Sequence, residues 1–580
     1  MKKDMGKPAE GGTEKKIIAE IVEKVQAYES GMGTFLSEVA EWAGLFKVLK
    51  PSRKRNAYSN PRLTEFFRAS NALATMMYRM MTSADPNFNI KPLDPDIEYD
   101  DLETLTHVFK AQNKAADYNA DLLRSCLYVV PFGTVIAQED YRIVGVSQFG
   151  HRIPTTTLTP RVLDQVAFDR GTIDIRNADW ISTADVISSA ALLAMAREND
   201  EIDGAWNKKA LETAANMVES PNTMNLQVLA RLSRANASAQ EVINKNRELI
   251  FYTGKLDTMN DGVEYVSALI NRKILVRFHA NNFQHGLRNF RVAKWVDFDQ
   301  PLGLGLGQLL APAHRSMDAN RQKLMDSISM LAYTMWQRKK DGPATAEFVI
   351  RPNQIVDVDS IGDIAPLEHS GRGAEAALKL EEILKQEFRN ASGATDTLQA
   401  IVTNATASEV SLAQNEGMRN ISVKAERAAE ELVRRHLEVL HANNIDNVRA
   451  PFNINKAGLA KRVYPAELSF AVDIEAKVTT DRDFKPQRLE KLVNLVQILT
   501  STKSEHPDQA SISILPLIKE IAYMLDVNPN DVIMKPGQTP VLSDPSLAGM
   551  GAATIPGPLG PGGGDPNVVG TPVGPVMASP

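Results

Sequence analysis

The chain has 580 residues, 43% of them hydrophobic and 23% charged, with a formal net charge of −6 and a single cysteine. This length favours about two to four domains. One thiol, Cys126, excludes an internal disulfide framework and fits a reducing compartment. The negative balance excludes a protein that holds nucleic acid by broad phosphate neutralisation, which needs clustered Lys and Arg.

The polar start, residues 1–16, has no export-type apolar segment. The longest near-continuous apolar run, 187–196, is too short to span a bilayer. The expectation is a soluble protein kept in the cell that makes it. The first fifty or so residues read as loosely ordered, with weak amphipathic helices. Asn60-Pro61 then opens a stronger helix reaching about Thr82. Its Phe66, Phe67, Leu73, Met76, Met77, Met80 and Met81 cover much of the circumference, as in a buried packing helix. Another helix is expected over 102–128, leading from Val129 into short β runs to about Ile181. Cys126, among Leu122, Leu123 and Leu127, reads as a small buried hydrophobe. Helices are expected from Thr183 to about Asn246, the later one with the capping box Ser238 and Glu241. Strand-like runs follow at 248–253, 263–269 and 273–279, so the first half reads as α+β.

Beyond this point the pattern is mainly helical. Leu310, Ala313, Met317, Leu324, Ile328, Leu331 and Met335 recur at three- and four-residue spacing, predicting one helix about 40 Å long. It is expected to end in Arg338, Lys339 and Lys340, cations before a Gly342-Pro343 stop. A β-prone insert follows, with strands at 348–350 and 355–358. A second helix over 375–389 has the apolar stripe Ala377, Leu380, Leu384 and Phe388, and the i,i+4 pairs Glu375–Lys379 and Glu381–Lys385. A small-residue loop covers 390–405. Thr406 with Glu409 caps a third long helix to about Ala442, in which Gly417 predicts a kink. Short strands are expected over 443–480 and two helices over 486–499 and 510–525. From Gly537 the chain is Gly/Pro-rich without Lys or Arg and lacks the apolar content to fold.

Motifs for chemistry are missing. There is no phosphate-binding G-x-x-x-x-G-K-[ST] loop, no G-x-S-x-G elbow and no C-x-x-C pair. Gly303, Gly305 and Gly307 read as a flexible entry to the first long helix. His279 and His285 match no common zinc spacing. The expectation is a protein that is not an enzyme and has no cofactor or metal.

The ordered set of long helix, small β insert, helix, small-residue loop and long kinked helix resembles the bacteriophage portal family, the head-to-tail connectors. The residues 248–252, the strand pairs up to His279, Arg288-Asn289-Phe290 and the Gly-rich 301–310 segment look like that family's wing-to-stem passage. Thr406-Ala407-Ser408-Glu409-Val410, followed by Gln414-Asn415-Glu416, resembles a stretch of podovirus-type portals. The passage from 119–128 into Phe132-Gly133-Thr134 also looks like their wing. The likeness covers roughly residues 60–535.

The resemblance implies an α+β, mainly helical fold. Its parts would be a wing (1–303), a first stem helix (304–340), a β clip (341–374) and a second stem helix (375–389). A tunnel loop (390–406), a long kinked helix (407–442), wing return strands (443–483), a short helical crown (484–536) and a disordered tail (537–580) would complete it. It implies a homo-oligomeric ring of about twelve subunits at one capsid vertex, through which double-stranded DNA is packaged and ejected. Lys385, Arg389, Thr395, Asp396, Thr397, Gln399, Thr403 and Asn404 would then face the DNA channel. Arg338, Lys339, Lys340, Glu347, Arg351, Asp357 and Asp359 would form the clip that docks terminase and later a tail or adaptor protein. Major capsid and scaffolding protein would meet the ring as well. The location would be the virion, and the host cytoplasm during assembly. The net negative charge fits a channel wall along which DNA slides. The alternative is an elongated helical adaptor or scaffold-type virion protein without a channel.

Overall fold

The structure is a computed structural model that describes residues 11–48, 63–94, 96–146, 152–198, 206–216, 246–281, 288–298, 300–332, 336–338, 364–366, 372–392, 420–447, 452–456, 459–478 and 494. The chain divides into two compact units, Met1–Phe484 and Lys485–Pro580. Of the second, only Asn494 is among the described residues. The strands expected at 348–350 and 355–358, both capping boxes, Gly417, the crown helices apart from Asn494, and the tail lie outside them.

The first unit is mixed α+β with helix as the larger share. Its opening is not loosely held. α1 (Gly11–Gly31) and α2 (Gly33–Phe46) bury Ile17, Ile21, Val25, Val39, Trp42 and Leu45 in the main core. Glu20 fastens α1 across the molecule. Its carboxylate accepts from the backbone N–H of Asp257 (2.7 Å) and Thr258 (2.9 Å) and from Lys24 Nζ (2.7 Å). Burial raises the Glu20 pKa, but these donors outweigh it and hold the group down at about 2.

α3 (Glu65–Thr82) buries Phe66, Leu73, Met77, Met80 and Met81, and leads to β1 (Phe88–Pro92). The helix expected over 102–128 is two helices, α4 (Tyr99–Ala115) and α5 (Tyr118–Phe132). They separate at Asp117, which takes a left-handed φ of 52° that an aspartate tolerates for a single residue. α5 continues through 129–132, where extended chain was expected. It stops at Gly133, whose φ of 79° no side-chain-bearing residue adopts easily.

Two antiparallel sheets follow. One has the order β3-β2-β9, formed by β2 (Thr134–Val146), β3 (Arg152–Arg161) and β9 (Phe290–Lys294). The other runs in sequence through β4 (Val166–Phe168), β5 (Trp180–Ser188), β6 (Asn246–Lys255), β7 (Glu264–Ile270) and β8 (Ile274–Ala280). Helix was expected from Thr183, yet β5 continues to Ser188 because β6 pairs with it along its length, Thr183 opposite Phe251. α6 (Ser189–Glu198) and α7 (Lys208–Ala215) start only afterwards. The period of two along β6 sends Ile250 and Tyr252 into the main core. Leu249 and Phe251 go to the opposite face, under Leu192 of α6 and Leu211 of α7.

α8 (Leu306–Ala332) is the long helix read from the apolar spacing, but it ends before 336. Trp336–Arg338 are instead a strand, β10, paired antiparallel with β11 (Ile364–Pro366). Arg338 therefore lies in a ribbon, not at a helix end. α9 (Arg372–Ser392) is longer than the expected 375–389 and takes in residues 390–392. α10 comprises helical residues 420–429, a π-turn at Glu430–Arg434 and Arg435–Asn447. It is followed by the β12 (Phe452–Lys456) and β13 (Leu459–Val463) hairpin. β14 (Val472–Ala476) returns to pair with β1, Ile474 opposite Ile90.

Candidate functional site

The long hairpin of α8 and α9 is set on the body by glycine. Trp295 N–H donates to the Gly133 carbonyl (2.8 Å), and Gly303 N–H to Thr134 Oγ1 (2.7 Å). A Cβ on Gly133 would overlap Gly303 O and Gly305 N, and a Cβ on Gly305 would overlap Gly133 N. One on Gly307 would enter the Trp42 ring. The three glycines expected to make a flexible entry instead make a tight one: two backbones cross where side chains would keep them apart. The first half of α8 is then packed on the body. Leu306, Leu310, Ala311 and Met317 are buried, His314 lies edge-on between Phe66 of α3 and Phe388 of α9, and Asp318 accepts from Leu63 N–H (3.0 Å).

The second half of α8 is held chiefly by α9. Ala377, Glu381, Leu384 and Phe388, at four-, three- and four-residue spacing, form the seam. Glu381 is 3% exposed, and its carboxylate accepts from Arg321 of α8 (3.0 Å) and from Lys385 (2.8 Å). Burial raises the Glu381 pKa, but the two cations outweigh it and lower it overall. Asn320 Nδ2 adds a bond to the Ala377 carbonyl (2.8 Å). The expected stripe through Leu380 is thus rotated. Glu381, read as part of a surface pair, occupies the seam because two cations accompany it, and Leu380 faces outward.

Apolar side chains are left about half-exposed along the hairpin. Leu309, Met325 and Ile328 of α8 and Leu378, Leu380 and Ile383 of α9 are each 40–53% exposed. At about 100° per residue, Leu380 and Ile383 lie on one flank of the α9 seam and Leu378 on the other. The hairpin therefore shows apolar surface on both sides.

Of the expected channel residues, Lys385 is engaged with Glu381, so its ammonium is part of the hairpin clamp. Arg389 is placed in α9. Thr395, Asp396, Thr397, Gln399, Thr403 and Asn404 lie outside the described residues. Of the expected clip residues, Arg338 lies in β10, while Lys339, Lys340, Glu347, Arg351, Asp357 and Asp359 lie outside.

A second polar constellation, absent from the sequence reading, is buried in the body. Glu139 of β2 accepts from Arg291 Nε (2.8 Å) and lies 2.9 Å from His436 Nδ1. The His436 ring stacks on Tyr118 (centroids 4.8 Å apart), whose hydroxyl donates to the Leu432 carbonyl (2.8 Å). Burial first, and then the Glu139 charge, raise the Tyr118 pKa well above its usual value. Next to it, Gln112 and Asn444 exchange two hydrogen bonds (2.7 and 2.8 Å), and Asn443 donates to Thr156 Oγ1 (2.9 Å). The signal in the sequence was weak: His436, Asn443 and Asn444 at seven- and eight-residue spacing inside an apolar helix.

Cys126 is fully buried, and burial raises its thiol pKa. His279 Nε2 accepts from Arg277 Nε (3.0 Å), and its Nδ1 lies 2.9 Å from the Ala280 carbonyl. Burial and the Arg277 charge lower its pKa to about 4. Among the described residues, no group of three or more His, Cys, Asp or Glu is arranged to hold a metal, and no helix is long and apolar enough to cross a membrane. No known family model matches the chain, and no curated protein matches it.

Proposed function

We propose that the chain is one subunit of a phage portal ring, a structural protein through which DNA is packaged and ejected. The observation that carries this reading is the pair of half-exposed apolar flanks on the α8–α9 hairpin. Exposed apolar surface of this kind marks an interaction site. A hairpin that is apolar on both sides fits a head-to-tail interface, in which each copy meets one neighbour on its left and another on its right. Such contacts close into a ring when the rotation permits. The element order adds support: an α+β body, a helix leaving it, a short β ribbon and a helix returning.

In this reading α8 and α9 are the stem, and β10 and β11 are the base of the clip that docks terminase and then a tail or adaptor protein. Residues 393–406 would line the channel for double-stranded DNA. Lys385 serves the stem rather than the DNA, which leaves Arg389 as the nearest cation of α9 to that loop. The protein works without catalysis, in the capsid vertex.

Electron microscopy of the purified protein tests this. Class averages along a symmetry axis should show rings with a central hole wide enough for a duplex of about 20 Å. Monomers or open linear assemblies in the presence of scaffolding protein would reject the ring and favour an elongated adaptor.

A further inference from the structure

We propose that the outer edge of β9 docks an extended peptide segment carrying a Lys or Arg, which joins the β3-β2-β9 sheet as a further strand. This does not depend on the ring. The register decides which main-chain groups are free. Trp295 N–H donates to the Gly133 carbonyl (2.8 Å) and Glu139 N–H to the Asn289 carbonyl (2.7 Å), and Ala293 and Arg291 stand opposite Val135 and Ala137 in between. Hydrogen-bonded pairs therefore fall at the odd-numbered residues of β9. In an antiparallel ladder the alternate residues turn their N–H and carbonyl away from the partner strand. Val292 and Lys294 are such residues. Among the described residues, nothing bonds to their main chain on that outer side.

The outer side borders a cleft of about 410 Å³, lined by Val292, Ala293 and Lys294 and by Glu426, Glu430 and Glu431 of α10. The Val292 side chain is in the main core, so what this residue offers the cleft is its main chain. An unpaired strand edge is a template for another main chain. The volume lies within the range of ligand clefts, about 300–1,000 Å³.

The pleat also decides what an incoming side chain meets. Residues placed opposite Val292 and Lys294 would each exchange a pair of main-chain bonds with them. The residue between those two points the way Ala293 does, to the face that α10 crosses. On that face Arg291 bonds Glu139 beside His436, and Trp295 lies under the Lys424 ammonium (4.2 Å to the ring centre). The α10 wall of the cleft sets three carboxylates against one guanidinium, that of Arg427. Glu431 is held by Arg176 (3.1 Å) and Glu430 by Arg434, while Glu426 has no ion pair among the described residues. A cation on the middle residue answers that surplus. Phe298 and Val423, 53% and 48% exposed, stand near the end where Lys424 covers Trp295, and they offer an apolar hold there.

Calorimetry on the full chain with two blocked pentapeptides, Thr-Val-Lys-Val-Thr and Thr-Val-Glu-Val-Thr, tests the proposal. The first should bind with a Kd on the order of 1 mM, and the second several-fold more weakly. Lys294→Pro removes an N–H that points outward and leaves the β2 ladder intact, so it should weaken the lysine peptide about tenfold. Lys294→Gln loses the same side chain but keeps the N–H, and should bind within about twofold of the parent chain. The two variants should unfold at the same urea concentration. No binding at about 10 mM peptide, equal binding of the two peptides, or an equal loss in both variants would overturn the proposal. A Lys294→Pro chain that unfolds where Lys294→Gln does not would overturn it too, because that N–H would then belong to the ladder.

Discussion

Gly133 and Gly305 meet backbone against backbone at the root of the hairpin, whereas some 20 residues further along α8 the side chains of Met325 and Ile328 are 40% and 52% exposed. The same helix is over-determined at one end and open at the other. At the root, the glycine crossing, the Thr134 bond and the ring of Trp42 leave no freedom of placement. Along the shaft, one buried carboxylate with two cations joins α8 to α9, and most apolar groups off the seam face outward. In the proposed ring, a body that fixes direction and a shaft with half-exposed apolar flanks would let neighbouring copies supply the rest of the packing.

The comparison breaks first at the root. Gly305→Ala places a methyl group on the Gly133 nitrogen, where backbone must move. Its cost should be about 4 kcal/mol or more, the range reserved for strained or overpacked buried positions. Urea unfolding of the isolated subunit measures it. A loss below about 1 kcal/mol would mean that the crossing relaxes easily and that the hairpin is not rigidly rooted.

Glu139→Ala comes next. It leaves Arg291 buried and unpaired, together with His436, and should cost about 3–5 kcal/mol. The pair Glu139→Leu with Arg291→Met should recover much of that loss, since apolar replacements of similar volume avoid the uncompensated charge. Failure of the double variant to recover would show that the network holds β2, β9 and α10 together by more than charge pairing.

Glu20→Gln tests how the first helix is fastened. The Glu20 pKa in the folded chain is held at about 2, below the ordinary 4.5. A carboxylate with a depressed pKa contributes stability that is present above its unfolded value and lost as the pH falls from about 4.5 through about 2. The substitution should therefore cost about 1–2 kcal/mol at pH 7, allowing for solvent screening at this rim position. The difference from the parent chain should shrink as the pH approaches 2. Urea midpoints at pH 7 and pH 3 check the sign: a gap that widens at low pH would remove the Lys24 and Thr258 contacts from the account.

Much of this layout was legible from residue spacing. The apolar recurrence through Leu310, Met317 and Leu324 located α8, and alternation located β6, β7 and β8 to within a few residues. What spacing does not carry is the third dimension. Gly303, Gly305 and Gly307 look the same in sequence whether they loosen a chain or allow two backbones to touch; only Gly133, 170 residues earlier, decides between them. Glu381–Lys385 has the spacing of a solvated pair, and it becomes a seam clamp because Arg321 arrives from another helix. The π-turn at 430–434 is likewise a local departure with a tertiary partner, the Tyr118 hydroxyl on the Leu432 carbonyl. The candidate site was legible as a pair of helices but not as a surface, because the rotation of α9 that exposes Leu380 depends on where that buried carboxylate settles.

The clamp itself should be worth little. Glu381→Gln should lower stability by about 1 kcal/mol, and Lys385→Ala by less than about 0.5, since Arg321 and Lys385 are both partly solvated. The smallest folding effect is expected on the outer flanks, and it is also the most informative. Leu380→Glu and Ile383→Glu add charge to side chains already half in water, so unfolding of the isolated subunit should shift by no more than about 0.5 kcal/mol. Self-association should respond quite differently. If the flank faces a neighbouring copy, burying an unpaired carboxylate there is costly, and sedimentation should show the assembly falling to monomers. Leu378→Glu, on the opposite flank, should do the same, and a mixture of the two single-flank variants should form pairs through their remaining intact flanks without closing. Variants that fold normally and still assemble would assign the apolar flanks to some other partner, and with them the ring would lose its main support.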